Sequence, residues 1–501
     1  MVTMPQETLM GIDLGTTAAK VGLFDATTGE VSAIARHEYQ VRSPAPGWAE
    51  LDVETYWEAT VAAVRQALDQ AGRPQVSGLG LSSQGQTFVA LDERQRPLRP
   101  AIVWLDTRAE EQAAYLRSIF DPAEYPRRGG LPFPSAIDSA AKILWVRENE
   151  PQVWGRTRFL MLLPDYLGLR LTGERRLDVN NAASTGMMDQ VAGAWWPQAL
   201  AAVGVPAQWM SPLGRPAEVI GTLRPELAAE LGLPNGLLVT LGSNDQLNGA
   251  VGVGNIRAGM ASGTVGTAMA IVSTVDHVGP DAALTVPWGP HPAPGLWFLL
   301  TYAKTSGVVL TWLRDLVEGQ ATYDDLLAAA AQAPPGSDGL VCLPHFSGTA
   351  APTFRSDVRG AFVGVTLSHG RAHLVRAIAE AVCFAARDVL ALAAGLGQSA
   401  TSLRMVGGAT RSDFWMQMLA DVVRTPLEIP ACREAAVLGA AIFAGLGAGR
   451  FATIEEGARA FYRPGRSFLP QGDAASQYDD AYAAYRDAME RLYPGALQGA
   501  T

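Results

Sequence analysis

Two segments, separated by about half of the 501 residues, constrain the fold more than any other feature of the sequence. Residues 15–23 and residues 263–271 both begin with Gly-Thr. In each, the Gly-Thr stands between an incoming strand and an outgoing apolar strand, which predicts a hairpin with a Gly-Thr turn at its tip. Repetition at half the chain length predicts two similar halves. Gly and Thr are also common in ordinary turns, so turn composition alone explains the pattern equally well.

Strands and helices follow one another in the order of a layered fold. In the first half, the apolar pattern predicts strands at residues 9–13, 20–24, 31–39, 76–82, 87–91 and 101–105, and helices at residues 53–71 and 139–148. In the second half, it predicts strands at residues 340–343 and 402–406, and helices at residues 308–317, 372–392, 413–423, 433–445 and 474–492. This order predicts an α/β fold, and the last helix could pack back across either half.

Composition excludes several classes of function. The net charge is −10, so the chain lacks the basic excess that nucleic acid or an acidic membrane surface attracts, and we expect neither as a partner. The three cysteines are widely spaced and odd in number, which argues against a disulfide framework and a cysteine zinc cluster. We find no leader pattern and no membrane-spanning apolar run, and we therefore expect a reducing, cytoplasmic compartment.

Three glycine-containing segments have the composition of phosphate-binding loops. Asp13 ends the first predicted strand and is followed by a Gly-Thr turn, an arrangement that suits a phosphate and its Mg²⁺. The second Gly-Thr begins at Gly263. Residues 407–410 lie between a strand and a helix, whose N-terminus favours negative charge. A purely structural loop explains each segment alone equally well, but three such loops after apolar strands favour phosphate binding.

A carboxylate follows the predicted strand that begins at Leu238. Asp245 lies just beyond this strand, and ligands of open α/β sheets bind at the carboxyl ends of the strands. A carboxylate in this position can accept the proton of a hydroxyl that attacks phosphorus. Asp is also a favoured N-cap before a helix, so a capping role remains open.

Taken in order, these motifs resemble the FGGY family of carbohydrate kinases over nearly the whole chain. Residues 13–17 match the family's first phosphate loop, and residues 142–149 match most of its first signature. Residues 360–380 match most of the second signature, with Ala379 in place of a bulkier residue, and residues 407–421 resemble the adenosine-binding loop and helix. The resemblance implies an α/β fold of two ribonuclease H-like domains, of the actin and hexokinase type of ATPase, with a nucleotide cleft between them.

The resemblance also implies domain limits and residue roles. Residues 1–248 would hold the sugar and the first phosphate loop, and residues 249–501 would hold the adenosine. Asp245 aligns with the catalytic base, and Asp13 and Asp245 are the implied ligands of Mg²⁺. The residues implied to bind ATP are Gly15, Thr16, Thr17, Lys20, Gly263, Thr264, Gly307, Thr311, Gly408, Ala409 and Ser412. The residues implied to bind the substrate are Gln84, Gln86, Trp104, Asp106, Asp245 and Gln246.

The motifs on the substrate side are mixed. Residues 82–87 stand where xylulokinases tend to carry Gln-Met-His-Gly and glycerol kinases Asn-Gln-Arg-Glu-Thr, and Gly85 and Gln86 match neither. Residues 249–254 are typical of xylulokinases. The implied wall offers amides, carboxylates and an indole, groups that suit the hydroxyls and the carbon chain of a polyhydroxylated molecule.

The implied reaction is ATP-dependent phosphorylation of a terminal hydroxyl. Arg108 is the one clear cation of the wall and Asp106 could neutralise it, so we expect a small neutral sugar or polyol rather than gluconate. D-xylulose is the first choice; glycerol, erythritol, xylitol and other ketopentoses remain open. A non-catalytic actin-like or sugar-sensing protein is the alternative of another class, and Asp245 beside the nucleotide loops favours the enzyme. The oligomeric state stays open, with a homodimer among the options.

Overall fold

The structure is a computed structural model that describes residues 7–279, 285–317, 321–351, 353–395 and 398–496. The strands are β1 (Glu7–Leu14), β2 (Ala18–Asp25), β3 (Val31–Glu38), β4 (Glu50–Leu51), β5 (Gln75–Ser83), β6 (Phe88–Leu91), β7 (Ala101–Ile102), β8 (Phe159–Leu162), β9 (Leu177–Asp178), β10 (Met188–Asp189), β11 (Ala194–Trp195), β12 (Leu213–Gly214), β13 (Val219–Thr222), β14 (Leu238–Asn244), β15 (Met260–Val265), β16 (Met269–Val275), β17 (Trp288–Pro290), β18 (Trp297–Ala303), β19 (Val341–Leu343), β20 (Ala361–Val363), β21 (Ser402–Val406), β22 (Leu427–Pro430) and β23 (Pro464–Phe468).

The α-helices are α1 (Val53–Gln70), α2 (Glu110–Ile119), α3 (Glu124–Gly129), α4 (Ser139–Asn149), α5 (Pro151–Arg156), α6 (Leu163–Thr172), α7 (Val179–Ala183), α8 (Pro197–Val203), α9 (Pro225–Leu231), α10 (Asp245–Gly252), α11 (Gly307–Val317), α12 (Tyr323–Ala330), α13 (Arg371–Gly395), α14 (Asp413–Val423), α15 (Ala435–Gly447), α16 (Ile454–Phe461) and α17 (Gly472–Leu492). None of the helices in the described part of the chain combines the length and the apolar character needed to cross a membrane.

The described residues pack into two compact units, each with its own hydrophobic core. Unit 1 comprises the residues up to Ile256 together with Pro287–Gly295 and Glu434–Tyr462. Unit 2 comprises Arg257–Val286, Leu296–Arg433 and the residues from Arg463 onward. The units are therefore not two contiguous parts of the chain, because α15 and α16 return to unit 1.

The main sheet of unit 1 has the strand order β13-β14-β5-β1-β2-β3. Strands β1, β2 and β3 are antiparallel neighbours, whereas β1, β5 and β14 run parallel. Side chains alternate along a strand, and in β1 Met10 and Ile12 join the core that contains α1, while Gly11 between them lies against α15. Helices thus cover both faces of the sheet, as parallel strands require.

The main sheet of unit 2 contains β18-β16-β15-β21-β22-β23 in this order. Strands β15, β16 and β18 are antiparallel neighbours, β15 is parallel to β21, and β21 is parallel to β22. The run β18-β16-β15-β21-β22 therefore repeats the order and the directions of β3-β2-β1-β5-β14. This repetition confirms the prediction of two similar α/β domains.

The two predicted hairpins are present, but the second turns three residues later than the sequence analysis placed it. In the first hairpin, Gly15 stands at the turn between β1 and β2, and its N–H donates to Ala18 O at 3.0 Å. In the second, the equivalent N–H is that of Gly266, which donates to Ala268 O at 3.0 Å. Gly263 and Thr264 instead lie inside β15, paired with β16. The prediction of a turn at Gly263 is therefore wrong.

Candidate active site

The carboxyl ends of β1, β5 and β14 carry the polar residues of the candidate site in unit 1. These parallel strands place Asp13 beside Ser82, and Ser82 beside Ser243. Asp245 begins α10 directly after β14. The sheet thus brings Asp13 and Asp245 to one edge, the place at which ligands bind in α/β sheets.

Asp13 is a buried carboxylate with a defined set of neighbours. It is 4% exposed, and its Oδ1 accepts a hydrogen bond of 2.7 Å from Ser82 Oγ. Lys20 pairs with it across β1 and β2, and Lys20 Nζ also contacts Glu434 Oε2 at 2.6 Å. Burial raises the pKa of Asp13, and the Lys20 ammonium opposes this shift. Lys20 therefore stabilises the charge of the Asp13 carboxylate and also lies beside the predicted phosphate loop.

Asp245 does not cap the helix that it begins. The N-cap of α10 is Asn244, whose Oδ1 accepts a hydrogen bond of 3.0 Å from Leu247 N–H. The Asp245 carboxylate is thus free of the capping role that the sequence left open, and its side chain interacts with Gln246. Burial, and after it the neighbouring charge of Asp13, raises the pKa of Asp245 to about 7. A carboxyl with this pKa suits proton transfer near neutral pH.

Two aromatic side chains donate hydrogen bonds to the turn at Gly15. Tyr39 OH donates to Gly15 O at 2.6 Å, and Trp104 Nε1 donates to Thr16 Oγ1 at 2.8 Å. Thr17 is exposed at the tip. A methyl group added at Gly15 would stand 3.9 Å from Asp13 Oδ2, so a carboxylate oxygen lies next to the turn. This turn can offer N–H and hydroxyl groups to a phosphate beside the Asp13 carboxylate.

The predicted substrate wall lies on the same unit, at different depths. Trp104, Gln86 and Gln246 are partly exposed. Gln84 is 2% exposed, and its Nε2 donates to Tyr56 OH at 3.3 Å, so it lies beneath the wall. The partly exposed groups of the wall are therefore an indole, two amides and the carboxylate of Asp245.

Asp106 does not belong to the open wall, which corrects the assignment made from the sequence. Its carboxylate is fully buried and accepts hydrogen bonds from Arg108 Nε and Nη2 and, at 2.6 Å, from Ala49 N–H. The Arg108 side chain is also fully buried, and its guanidinium lies 3.6 Å from the centre of the Trp48 ring. Both oxygens of the Asp106 carboxylate are thus engaged within the protein, so Asp106 supports the wall and does not face a ligand.

Three glycine segments come together within unit 2. The N–H of Gly307, at the start of α11, donates to Gly266 O at 2.8 Å. Gly407, which follows β21, has a φ of +99°, and a Cβ there would lie 2.5 Å from Val265 O. Gly266 and Gly408 have no atom near the position of an added Cβ. The strand ends of β15 and β21 thus carry backbone that a nucleotide can approach closely.

The remaining nucleotide candidates of unit 2 frame this backbone. Thr311 lies one turn into α11 and contacts Tyr323 OH at 2.8 Å. Ser412 caps α14 by accepting a hydrogen bond from Trp415 N–H at 3.2 Å, and Ala409 lies beside Gly408. Gly263 is buried within β15 and Thr264 is partly exposed, whereas Thr267 is exposed at the turn of this hairpin. Comparison of the two turns as Gly15-Thr16 and Gly266-Thr267 would have found it in the sequence.

Four further polar residues of unit 1 escaped the sequence analysis because their partners are distant in the chain. Glu434 contacts Lys20, and Ser82 contacts Asp13. Tyr56 contacts Gln84, and Asp138 contacts Gln86. Ser82 lies two positions before Gln84, near the end of a predicted strand, so the sequence marked it as a polar residue at a strand end. The other three residues had no such signal in the sequence. These contacts define the support of the site rather than its exposed face.

Comparisons with known proteins agree with this geometry. The model of the N-terminal domain of the FGGY family of carbohydrate kinases matches residues 8–252, and that of its C-terminal domain matches residues 258–448. A xylulose kinase of Escherichia coli K12 is 33% identical, over 97% of this chain and 99% of that protein. A gluconokinase of Bacillus subtilis 168 is 29% identical, over 94% and 93%.

A solved structure extends the agreement to the fold. The xylulose kinase of Rhodospirillum rubrum is 30% identical and superposes with a TM-score of 0.89, covering 98% of this chain and 99% of that chain. The two repeated sheets thus have the ribonuclease H-like arrangement of the actin and hexokinase type. The protein belongs to the FGGY family of carbohydrate kinases, which transfer a phosphoryl group from ATP to a sugar or a related alcohol.

Proposed function

We propose that the protein phosphorylates a small neutral sugar at a terminal hydroxyl, with D-xylulose as the acceptor and D-xylulose 5-phosphate as the product. The observation that carries this proposal is the Asp245 carboxylate, which does not cap α10, interacts with Gln246 and lies near the charge of Asp13. The xylulose kinases among the relatives support the choice of sugar. Because a gluconokinase is also among the relatives, the experiment must decide whether the acceptor is neutral or carries a carboxylate.

In the proposed reaction, Asp245 acts as the general base. The hydroxyl oxygen of the acceptor attacks the γ-phosphorus of ATP, and its proton passes to Asp245. The bond between the γ-phosphorus and the β–γ bridging oxygen breaks, and ADP leaves. The pKa of about 7 supports this role, because a base of that pKa is largely ionised in slightly alkaline solution and still holds the proton well.

The donor set near Asp245 fits Mg²⁺. Asp13 and Asp245 supply carboxylate oxygens, which Mg²⁺ prefers, and Mg²⁺ is commonly held by one or two carboxylates together with substrate phosphates. Ser82 Oγ orients the Asp13 carboxylate through Oδ1. We propose that Asp13 and Asp245 hold the ion, which would neutralise the charge of the transferred phosphoryl group when bound.

Replacement of Asp13 by asparagine should raise the Mg²⁺ concentration needed for half-maximal activity by at least about tenfold, because one ligand of the ion loses its charge. The measurement is the initial rate against free Mg²⁺ at saturating ATP. Asp165→Asn is the matched control, since Asp165 is also buried and accepts a 2.6 Å hydrogen bond from a serine, Ser211 Oγ. Equal Mg²⁺ curves for the two variants would remove Asp13 from the metal site.

The cations around the wall are already engaged, which favours a neutral acceptor. Arg108 is paired with Asp106, and Lys20 with Glu434. Lys142 is fully buried, donates to Val103 O at 3.2 Å, and has a pKa lowered to about 7 by its burial. A substrate carboxylate would instead meet the charges of Asp13 and Asp245, where like charges repel.

The acceptor is tested by kcat/KM for D-xylulose, D-ribulose, glycerol, erythritol, xylitol and gluconate, measured by coupled release of ADP under one set of conditions. We expect D-xylulose first and gluconate at least about 10²-fold below it, since the described cations around the wall are already ion-paired or buried. A polyol in first place would correct the choice of acceptor. Gluconate in first place would contradict the charge argument. If none of these compounds caused release of ADP, the result would favour a non-catalytic protein.

A further inference from the structure

Gln86, in the exposed part of the wall, has a backbone conformation that residues other than glycine rarely adopt. Its φ is +61°, in the left-handed region, although it is not a glycine. Such a residue persists only where its surroundings fix it, and residues of this kind cluster at functional sites. The contacts that fix the conformation of Gln86 therefore indicate how this residue functions in the site.

The start of α4 holds Gln86 through both its main chain and its side chain. Ser139 Oγ donates to Gln86 O at 3.0 Å. Gln86 Nε2 donates to Asp138 Oδ1 at 2.9 Å, and the other oxygen, Asp138 Oδ2, accepts from Ser135 N–H at 2.8 Å. Asp138 is 3% exposed, so these partners compete little with water.

The position of Asp138 at a helix start does not explain its carboxylate. Asp138 is the N-cap residue of α4, with the extended backbone of a cap, but its side chain makes no capping hydrogen bond. By contrast, Asp178 caps α7 by accepting a hydrogen bond from Asn181 N–H at 2.9 Å. The Asp138 carboxylate turns away from its own helix and towards Gln86.

An ionised carboxylate can only accept hydrogen bonds, so it fixes which end of the amide faces it. With Nε2 directed at Asp138, Oε1 of Gln86 is left to accept a hydrogen bond from elsewhere. We propose that Asp138 is a positioning residue for the acceptor: it orients the Gln86 amide so that Oε1 accepts a hydrogen bond from a substrate hydroxyl. This inference rests on the proposed function, because it takes the acceptor to lie on the wall that contains Gln86.

A double-mutant cycle tests whether Asp138 acts through Gln86. The four proteins are the wild type, Asp138→Asn, Gln86→Ala and the double variant, assayed with D-xylulose at pH 8. Burial raises the pKa of Asp138 to about 7, and the carboxylate is ionised at this pH. Asn has one acceptor oxygen for the two donors, Gln86 Nε2 and Ser135 N–H, so the amide loses its fixed orientation.

We expect each single variant to raise KM about tenfold, the effect of one lost hydrogen bond, with kcat within about twofold of the wild type. The double variant should be no worse than Gln86→Ala alone, since Asp138 has nothing left to orient. Among monodeoxy analogues of D-xylulose, the one that the wild type rejects most should be rejected about tenfold less by both single variants.

Two results would overturn the inference. One is additivity, in which Asp138→Asn raises KM by the same factor with and without Gln86. The other is an unchanged KM in Asp138→Asn while its thermal midpoint falls, which would make the contact purely structural. The variant Asp165→Asn controls for a general loss of stability, because Asp165 is also a buried carboxylate of unit 1. The wild-type rate tests the proposed function, whereas the ratios among the variants test the role of Asp138.

Discussion

Replacement of Asp245 by asparagine should lower kcat by at least about 10²-fold, the low end for loss of a general base. Asparagine keeps the size of the side chain and its contact with Gln246, but it cannot take the proton of the attacking hydroxyl. The fold should be unaffected, because Asn244 and not Asp245 caps α10. Affinity for ATP should be retained when Mg²⁺ is saturating, because we propose that the glycine segments of unit 2 supply most of the nucleotide contacts.

The measurements are kcat from coupled ADP release and the dissociation constant of a non-hydrolysable ATP analogue from calorimetry. Asp165→Asn again provides the comparison, since burial also raises the pKa of Asp165, to about 8, but this residue lies in α6 with Ser211 as its partner. Asp165→Asn should keep a normal kcat. Turnover by Asp245→Asn within about twofold of the wild type would remove Asp245 from the role of base.

The edge of unit 1 that carries Asp13 and Asp245 could be predicted because local signals agree there. Apolar runs mark the strands, and polar residues follow directly where the runs end. The strand at residues 402–406 and the helix at residues 413–423 were predicted with the bounds of β21 and α14 for the same reason. Periodicity and turn residues locate an element, and the end of a strand then locates its polar residues.

The turn of the second hairpin shows where a local signal is ambiguous. The sequence contains Gly-Thr twice in succession, at Gly263 and at Gly266, and both are compatible with a turn. The structure pairs Gly263 with Ile271 and so continues the strand to Val265. Only the pairing of β15 with β16 decides whether the turn lies at Gly263 or at Gly266. The amino-acid composition of a turn does not predict this pairing.

The depth of a charged residue could not be predicted from its neighbours in the chain. The strand expected at residues 101–105 ends as β7 at Ile102, after which Asp106 N–H donates to Val103 O and the chain turns. This turn carries Asp106 inward to Arg108 and to Ala49 N–H. The contact with Ala49 joins residues far apart in sequence, and the wall assignment failed for that reason.

The membership of α15 in unit 1 depends on contacts of still longer range. Gly80 of β5 is buried, and a Cβ there would lie 1.9 Å from Ala440 O of α15. Gly11 of β1 stands equally close to the helix, where a Cβ would lie 2.1 Å from Val437 O. Glycine thus allows the backbone of a helix to rest directly on the backbone of the sheet.

Replacement of Gly80 by alanine should therefore destabilise the protein by about 3 kcal/mol or more, at the upper end for an overpacked core. The atom in the way is a backbone carbonyl oxygen, which cannot rotate aside as the end of a flexible side chain would. Either α15 or β5 must shift, and both pack against other elements of unit 1. The measurement is the midpoint of urea unfolding, followed by tryptophan fluorescence.

Gly155→Ala is the matched control, because Gly155 lies in α5 of the same unit and no atom is near the position of its added Cβ. Alanine favours a helix over glycine by about 1 kcal/mol, so this variant should unfold at the same or a higher urea concentration. Two units need not unfold in one step, and the comparison is therefore made for each transition observed. Equal midpoints for Gly80→Ala and Gly155→Ala would mean that α15 does not rest on β5, and unit 1 would then have to hold the returning segment by its side chains alone.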